Sequence, residues 1–358
     1  MLKTDLSNLL KIKYPIIQAP MAGGITTSTL VAEVSNAGGL GMIGAAYMTP
    51  LQIQQQVREI RSLTSKPFGI NLFVPNDYDV TEEELKSSNK LLNSFRQRMN
   101  LKPIDTFEAP PFNKIHEIFI EQIKVIVEEN IPICSFTFGI PSREVIGKLK
   151  KNNILLIGTA TTVNEAIQNE KQGMDMIVVQ GSEAGGHRGT FINDEKKSLI
   201  GLMSLLPQVA DNVNVPVIAA GGIMDGRGLT ASICLGASGV QMGTAFLTCI
   251  ESGAHSLHKE SIIRATEDNT VLTRSFSGKL ARGINNKFIS EMKIHETTLP
   301  DFPIQNILTH DLRKAATAEN NQDFMSLWSG QSPRLAKSQT VESLIKSLIS
   351  EATNLISK

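Results

Sequence analysis

VPVIAAGGI (residues 215–223) and SGVQMGTAFL (238–247) are two apolar runs of strand length, and each breaks into glycine where it ends. Apolar runs that are continuous, not alternating, are expected of strands covered on both faces, as in a parallel sheet. The same unit recurs outward from this pair. DMIVVQGS (175–182) follows the helical pattern TVNEAIQNEKQG, and ILLIGTA (154–160) follows SREVIGKLKKN. IPICSFTF (131–138), PFGINLFV (67–74), GLGMIGAA (39–46) and YPIIQAPM (14–21) complete the set, with helical patterns in STLVAEVSNAG and TPLQIQQQVREIRSLT (49–64). Eight strands alternating with helices predict an α/β fold, a (β/α)₈ TIM-type barrel. An open doubly wound sheet is the competing arrangement. The strand count and the glycines at the strand ends favour closure.

Two segments exceed a simple crossover. Residues 75–130 contain TEEELKSSNKLLNSFRQRMN, which reads as a charged, mostly solvated helix, and the chain continues for more than a hundred residues beyond the eighth strand. We expect a barrel from residues 1–75 and 131–250, a smaller, mostly helical lid subdomain from 76–130 and 251–330, and a closing C-terminal helix within 331–358. Both lid pieces leave from the side where strands end, so both are expected over the barrel mouth.

Composition narrows the classes of function. Of 358 residues, 41% are hydrophobic, enough for a sizeable core. Lys and Arg balance Asp and Glu at 35 each, so no nucleic-acid or anionic-membrane partner is indicated. The N-terminus lacks the apolar stretch of a signal peptide and no run is long enough to span a bilayer, so a cytoplasmic protein is expected. Cys134, Cys234 and Cys249 lie in separate apolar runs and read as buried, reduced thiols. No metal site is indicated.

In a barrel enzyme the chemistry gathers where strands end. Gly222, Gly243 and Thr244 follow the last two strands, where backbone N–H groups and helix N-termini can hold a phosphate. Asn71 and Gln180 are amides ending otherwise apolar strands. Each offers a donor and an acceptor, as the edge of a flavin ring requires; local backbone capping is the plainer reading. The sixth strand runs into GSEAGGHRG, where glycines flank His187, a group that titrates near neutrality. His116, His255, His258, His295 and His310 lie in polar or helical stretches and read as surface residues. Lys279 and Arg282 read as solvated loop charges, with attraction of an anion as the alternative.

Taken together, QAPMAGG (18–24), NLF at Asn71, QGSEAGGHRG (180–189), AAGGIMDGRG (219–228), QMGTAFL (241–247), SGKLARG (277–283) and LWSGQ (327–331) resemble the nitronate monooxygenase family, in its bacterial class I branch. The resemblance implies FMN, used without NAD(P)H, and a small-molecule substrate, an alkyl nitronate such as propionate 3-nitronate. With O2 the products would be a carbonyl compound and nitrite. It assigns FMN binding to Asn71, Gln180, Gly185, Gly222, Gln241, Met242, Gly243 and Thr244, and catalysis to His187. The neighbouring strand-end residues Ala19, Pro20, Met21, Gly186, Ala220 and Gly221 are expected to join the FMN site. Some members carry a second histidine in a Ser-Phe-His-Phe-Gly run. Here Thr137 occupies that place, so no charge can form there.

Three other readings are open to test. A flavin-dependent enoyl-acyl-carrier-protein reductase is similar in fold and in its Glu-Ala-Gly-Gly-His run, but its first strand ends in Gly-Gly-Met-Ala-Trp where this chain has Ala19-Pro20-Met21-Ala22-Gly23. IMP dehydrogenase needs a cysteine after the sixth strand, where this chain has His187. A non-catalytic flavin-binding module would keep Gly222 and Gly243 without needing His187.

Overall fold

The structure is a computed structural model that describes residues 3–192 and 195–357. Eight parallel strands form one sheet: β1 (Ile16–Gln18), β2 (Gly41–Gly44), β3 (Phe68–Phe73), β4 (Ile133–Thr137), β5 (Leu155–Ala160), β6 (Met176–Gln180), β7 (Val217–Ala220) and β8 (Gly239–Met242). Neighbours follow chain order from β2 to β8, and β8 pairs with β1 through Ile16–Val240 and Gln18–Met242. A parallel bridge between Ile17 and Leu40 closes the ring. The sheet is therefore a (β/α)₈ barrel, and no barrel strand is left with an unpaired edge.

Strand periodicity divides the apolar side chains between two cores. Inward-pointing Ile17, Met42, Ile133, Ile157, Val178 and Ile218 fill the barrel interior. Leu6 and Leu10, from the N-terminal helix Asp5–Leu9 and its end, join that interior cluster. The alternate set, including Ile43, Ile70, Val179 and Ala219, packs against the surrounding helices. The last helix, Val341–Ile356, packs on the helices Gly226–Cys234 and Ser28–Asn36 and so bridges the end of the helical ring to its beginning. No helix among the described residues is long and apolar enough to cross a membrane.

The insertion after β3 splits into two parts with different partners. Helix Phe112–Glu128, which the sequence reading grouped with the lid, places Phe119, Ile123 and Ile126 in the same core as Ile53, Val57 and Ile60 of the barrel helix Pro50–Leu63. Helix Glu82–Arg98 instead contributes Leu92 and Phe95 to a separate core with Phe276, Phe288, Leu312 and Phe324. This helix is less solvated than its charges suggest, because Arg96 is fully buried. Arg96 Nε donates to Asp311 Oδ2 at 2.7 Å, Nη1 to the amide oxygens of Asn89 and Asn93, and Nη2 to the Leu308 carbonyl. Charge count alone misreads such a helix, since a charge can be buried when all its donors are satisfied. Cys134 and Cys249 are buried as expected, whereas Cys234, at the end of its helix, is exposed.

A second, three-stranded sheet joins parts of the chain remote in sequence. Thr270–Thr273 pairs antiparallel with Ala281–Ile284, which pairs antiparallel with Gly186–His187. The register sets Ala281 opposite His187 and Arg282 opposite Gly186.

Arg96 is the test of the separate core. Arg96→Ala leaves four acceptors short of donors and is expected to cost roughly 2–4 kcal/mol in urea denaturation, since Asp311 keeps partial access to solvent. Lys86→Ala, which removes a fully exposed helix pair, serves as the near-neutral control.

Candidate active site

The C-terminal strand ends open into a cavity of about 660 Å³. Its wall includes Ala19, Pro20 and Met21 after β1, Asn71 in β3, Thr137 in β4, and Gln180, Gly185, Gly186 and His187 from β6 and its loop. Ala220, Gly221 and Gly222 line it after β7, and Gln241, Met242, Gly243 and Thr244 after β8. The wall is completed by segments beyond the barrel: Asn306, His310, Arg313, Lys314, Thr317, Met325, Trp328, Gly330 and Ser332.

The glycine end is built for close backbone approach. Gly221 (φ 126°) and Gly222 (φ 68°) have conformations that side-chain-bearing residues rarely adopt. Gly185 packs so tightly on the LWSGQ segment that a Cβ there would stand 2.6 Å from the Gly330 nitrogen. Gly330 N–H in turn donates to Thr244 Oγ1 at 3.0 Å, so the loops after β6 and β8 are locked together. The backbone N–H groups of Gly222, Gly243 and Thr244 meet no partner among the described residues. The helix after β7 differs from expectation. Its N-terminus is already capped by the Asp225 carboxylate, which accepts from Arg227 N and Gly228 N, and Gly226 N donates to Glu351. Any anion at this end therefore depends on loop N–H groups, not on that helix.

The two amides have different surroundings. Asn71 Nδ2 donates to Ser135 Oγ at 2.8 Å and to Thr137 Oγ1 at 3.2 Å, so both its hydrogens are engaged and Thr137 helps orient the amide. Gln180 spans the loop: Nε2 donates to the His187 carbonyl at 3.0 Å, and Oε1 accepts from Gly189 N at 2.8 Å. Its acceptor is thus engaged with local backbone, and one amide hydrogen is left for the cavity. The loop is held further by the buried Glu165, whose Oε1 accepts from Thr190 Oγ1 and from the backbone of Phe191 and Ile192. Buried Arg188 donates to the carbonyls of Gln180, Gly181 and Ser198.

His187 sits among four aromatic rings, Phe73, Phe138, Phe302 and Trp328, with centroids 5.5–6.3 Å away. Its Nε2 lies 2.9 Å from Ser277 Oγ. Ser277 has one proton, and its Oγ donates that proton to the Lys279 carbonyl at 3.0 Å. With that proton on the Lys279 carbonyl, the hydroxyl faces His187 as an acceptor, which favours the tautomer with its hydrogen on Nε2 and a lone pair on Nδ1. Burial, reinforced by the positive charges of Lys279 and Arg313, pushes His187 down to about 3. The ring is neutral at physiological pH. The sequence reading allowed an imidazolium here, and these surroundings oppose it.

Other assignments change with tertiary context. Lys279 is not a solvated loop charge: Nζ lies 3.6 Å from Glu195 Oε1 and 4.9 Å from the Phe138 ring centre. Arg282 is buried, with Nε donating to the Ser182 carbonyl at 3.0 Å. His258 is buried as well, its Nε2 2.9 Å from the Trp328 carbonyl, and burial pushes it down to about 4. Sequence reasoning missed the roles of Ser277, Phe302, Trp328 and Arg313. SGKLARG and LWSGQ marked the neighbourhood of two of them, but nothing local to Phe302 or Arg313 indicates a site.

Comparison with known proteins agrees with this geometry. The family model described as nitronate monooxygenase matches residues 3–351. A probable nitronate monooxygenase of Staphylococcus haemolyticus is 51% identical over 355 residues, covering 98% of each chain. One from Staphylococcus aureus is 49% identical over 356 residues, covering 99% of this chain and 98% of that one. Among solved structures, a nitroalkane oxidase from Streptomyces ansochromogenes superposes with a TM-score of 0.89 at 36% identity, over 98% of this chain and 99% of the other. FabK from Thermotoga maritima superposes less closely, with a TM-score of 0.78 at 30% identity over 100% and 98% of the two chains. With the match running almost end to end and the glycine-lined barrel mouth beneath it, this chain belongs to the nitronate monooxygenase family.

Proposed function

We propose that the chain is an FMN-dependent nitronate monooxygenase, converting alkyl nitronates and O2 to carbonyl compounds and nitrite. The observation that carries this reading is a neutral His187 with its Nδ1 lone pair available, set in an aromatic box on a cavity whose other wall presents unpartnered loop N–H groups. Those groups, at Gly222, Gly243 and Thr244, suit the phosphate of FMN. Ala19, Pro20, Met21, Gly185, Gly186, Ala220, Gly221, Gln241 and Met242 would surround the rest of the cofactor, with Gln180 offering its remaining amide hydrogen and Asn71 its Oδ1 acceptor to the ring. Bound there, the flavin supplies an electron acceptor for the nitronate.

The remaining steps belong to the protein. Phe73, Phe138, Phe302 and Trp328 exclude water from the reacting carbon and hold a small alkyl group. When the substrate arrives as a neutral nitroalkane, Nδ1 of His187 takes the α-proton as general base. When it arrives as a nitronate, that proton is already gone and His187 only orients it. We further propose that residues 76–111 and 251–330 act together as the lid that keeps this chemistry dry, joined through the separate core around Phe95 and Phe288.

Three outcomes test the proposal. Heat release followed by mass analysis is expected to give FMN; recovery of FAD, or failure to bind any flavin on reconstitution, rejects the cofactor assignment. The same holoprotein mixed anaerobically with NADH is expected to stay oxidised, and rapid bleaching would favour a reductase like FabK instead.

His187→Asn is expected to retain flavin while losing activity on neutral nitroalkanes by roughly 10²–10⁴-fold, with a smaller loss on preformed nitronates. Equal losses on both forms would assign His187 to binding and not to proton abstraction.

The pH profile provides an independent check. Because His187 is depressed to about 3, it is already deprotonated at pH 5, so kcat/KM for a neutral nitroalkane should show no inflection from this residue between pH 5 and 8. An inflection near 6.5 that disappears in His187→Asn would show that the ring titrates as an exposed histidine. Stability, by contrast, depends on pH: the unfolded chain takes up a proton that the buried ring refuses, so stability falls as pH drops from about 6.5 toward 3.

A further inference from the structure

Residues 328–332 run along the cavity, and the steps above use only their first side chain. Trp328 stands with its ring centroid 5.5 Å from that of His187. Ser332, four residues on, reaches the strand end after β7: its Oγ lies 3.5 Å from where a Cβ on Gly222 would be. The order of strands sets β7 across the barrel from β3, which carries Phe73 of the aromatic box. Between these ends every residue is tied down. His258 Nε2 donates to the Trp328 carbonyl at 2.9 Å, and Ser329 N to the Arg282 carbonyl at 3.3 Å. Gly330 N donates to Thr244 Oγ1 and Gln331 N to the Glu183 carbonyl, both at 3.0 Å. Ser332 breaks the series. Neither its N–H nor its hydroxyl meets a partner among the described residues, and the hydroxyl is not sealed away from the cavity that the residue lines. The other side chain beside Gly222 is Glu183, with its Cβ 3.3 Å from the same point. Its carboxylate is turned away, accepting from Leu202 N at 2.8 and 3.0 Å.

The unpartnered hydroxyl of Ser332 therefore faces the unpartnered N–H groups of Gly222, Gly243 and Thr244 from the side opposite the strand ends. A group of donors without an acceptor is completed by a ligand that brings several acceptor oxygens and a negative charge, as a phosphate ester does. We infer that Ser332 is a cofactor-binding residue that donates to this phosphate from outside the barrel, and that residues 328–332 carry the occupancy of the phosphate site to Trp328 beside His187. The inference rests on the proposed flavin site and adds to it a ligand from the C-terminal segment and a link to the substrate side. Because each of residues 328–331 is hydrogen-bonded, the segment passes a shift at Ser332 on to Trp328 and does not absorb it in loose backbone. The aromatic box is then fully set only when the phosphate is in place.

FMN and riboflavin differ only by the phosphate, so the ratio of their dissociation constants isolates that contact. The measurement is this ratio for the flavin-free protein, by quenching of flavin fluorescence, in wild type and Ser332→Ala. The wild type is expected to prefer FMN, and the substitution to lower the preference about tenfold while leaving riboflavin binding unchanged. An unchanged ratio, including equal weakening of both flavins, overturns the assignment. Ser332→Thr keeps the hydroxyl and is expected to keep most of the preference. A loss there as large as in Ser332→Ala would trace the effect to packing and likewise overturn it. The link to the substrate side has its own readout, because Trp328 is the single tryptophan of the chain. Inorganic phosphate added to the flavin-free protein is expected to raise its melting temperature, beyond chloride at equal ionic strength, and to shift the Trp328 emission with the same saturation. Both responses should be lost in Ser332→Ala. A thermal shift without a change in emission overturns the link. If the wild type binds neither flavin, the proposed function fails, while the phosphate titration still decides the role of Ser332.

Discussion

Two short backbone pairings, Ala281 with His187 and Arg282 with Gly186, fix the geometry on which the site depends. The loop after β6 is rich in glycine and would have many conformations by itself. Joined to a strand from far along the chain, it presents one side chain in one place. The same pairing brings Ser277 to His187 Nε2, and with it the choice of tautomer. It also brings Lys279 near enough to oppose protonation. The segment beyond the barrel therefore orients His187 as well as completing the cavity wall.

Glycine serves two purposes at this mouth. At Gly221 and Gly222 it permits positive-φ backbone in the cavity wall. At Gly185 it permits contact with Gly330, so that the C-terminal segment lies directly on the β6 loop. A methyl group at Gly185 would separate the two and loosen the bond from Gly330 to Thr244. The strand-end wall and the C-terminal segment are in this way coupled through a contact between two residues without side chains.

The electrostatics follow from what is missing from the wall. Positive charges approach the cavity at Arg313 and Lys314, with Lys279 close behind, and among the described residues no acid lines it. The acids nearby are already paired: Asp311 with Arg96, and Glu195 with Arg274 and with Lys279 itself. In a low-dielectric enclosure such an imbalance favours anionic ligands and keeps an imidazole neutral. Both consequences suit a substrate that is itself an anion or becomes one by losing a proton.

The sequence by itself determined the barrel. Continuous apolar runs with glycine ends can be buried only as inner strands, and eight of them in alternation with helices close on themselves. It also marked the strand-end residues from Ala19 to Thr244, because polar or glycine positions ending apolar strands stand out against their surroundings. Tertiary structure decided everything that depends on contacts between distant segments. Arg96 reads as a surface charge until Asp311, some two hundred residues away, is seen against it. Arg282, in the strand Ala281–Ile284, and Lys279, two residues before it, read as solvated until that strand is paired. His258 and Arg313 lie in unremarkable helical sequence, and only packing turns them toward the cavity. The physical reason is that periodicity and backbone preference are local and written in neighbouring residues, whereas burial of a charge, its counter-ion and the tautomer of a histidine are set by partners that the chain supplies from elsewhere.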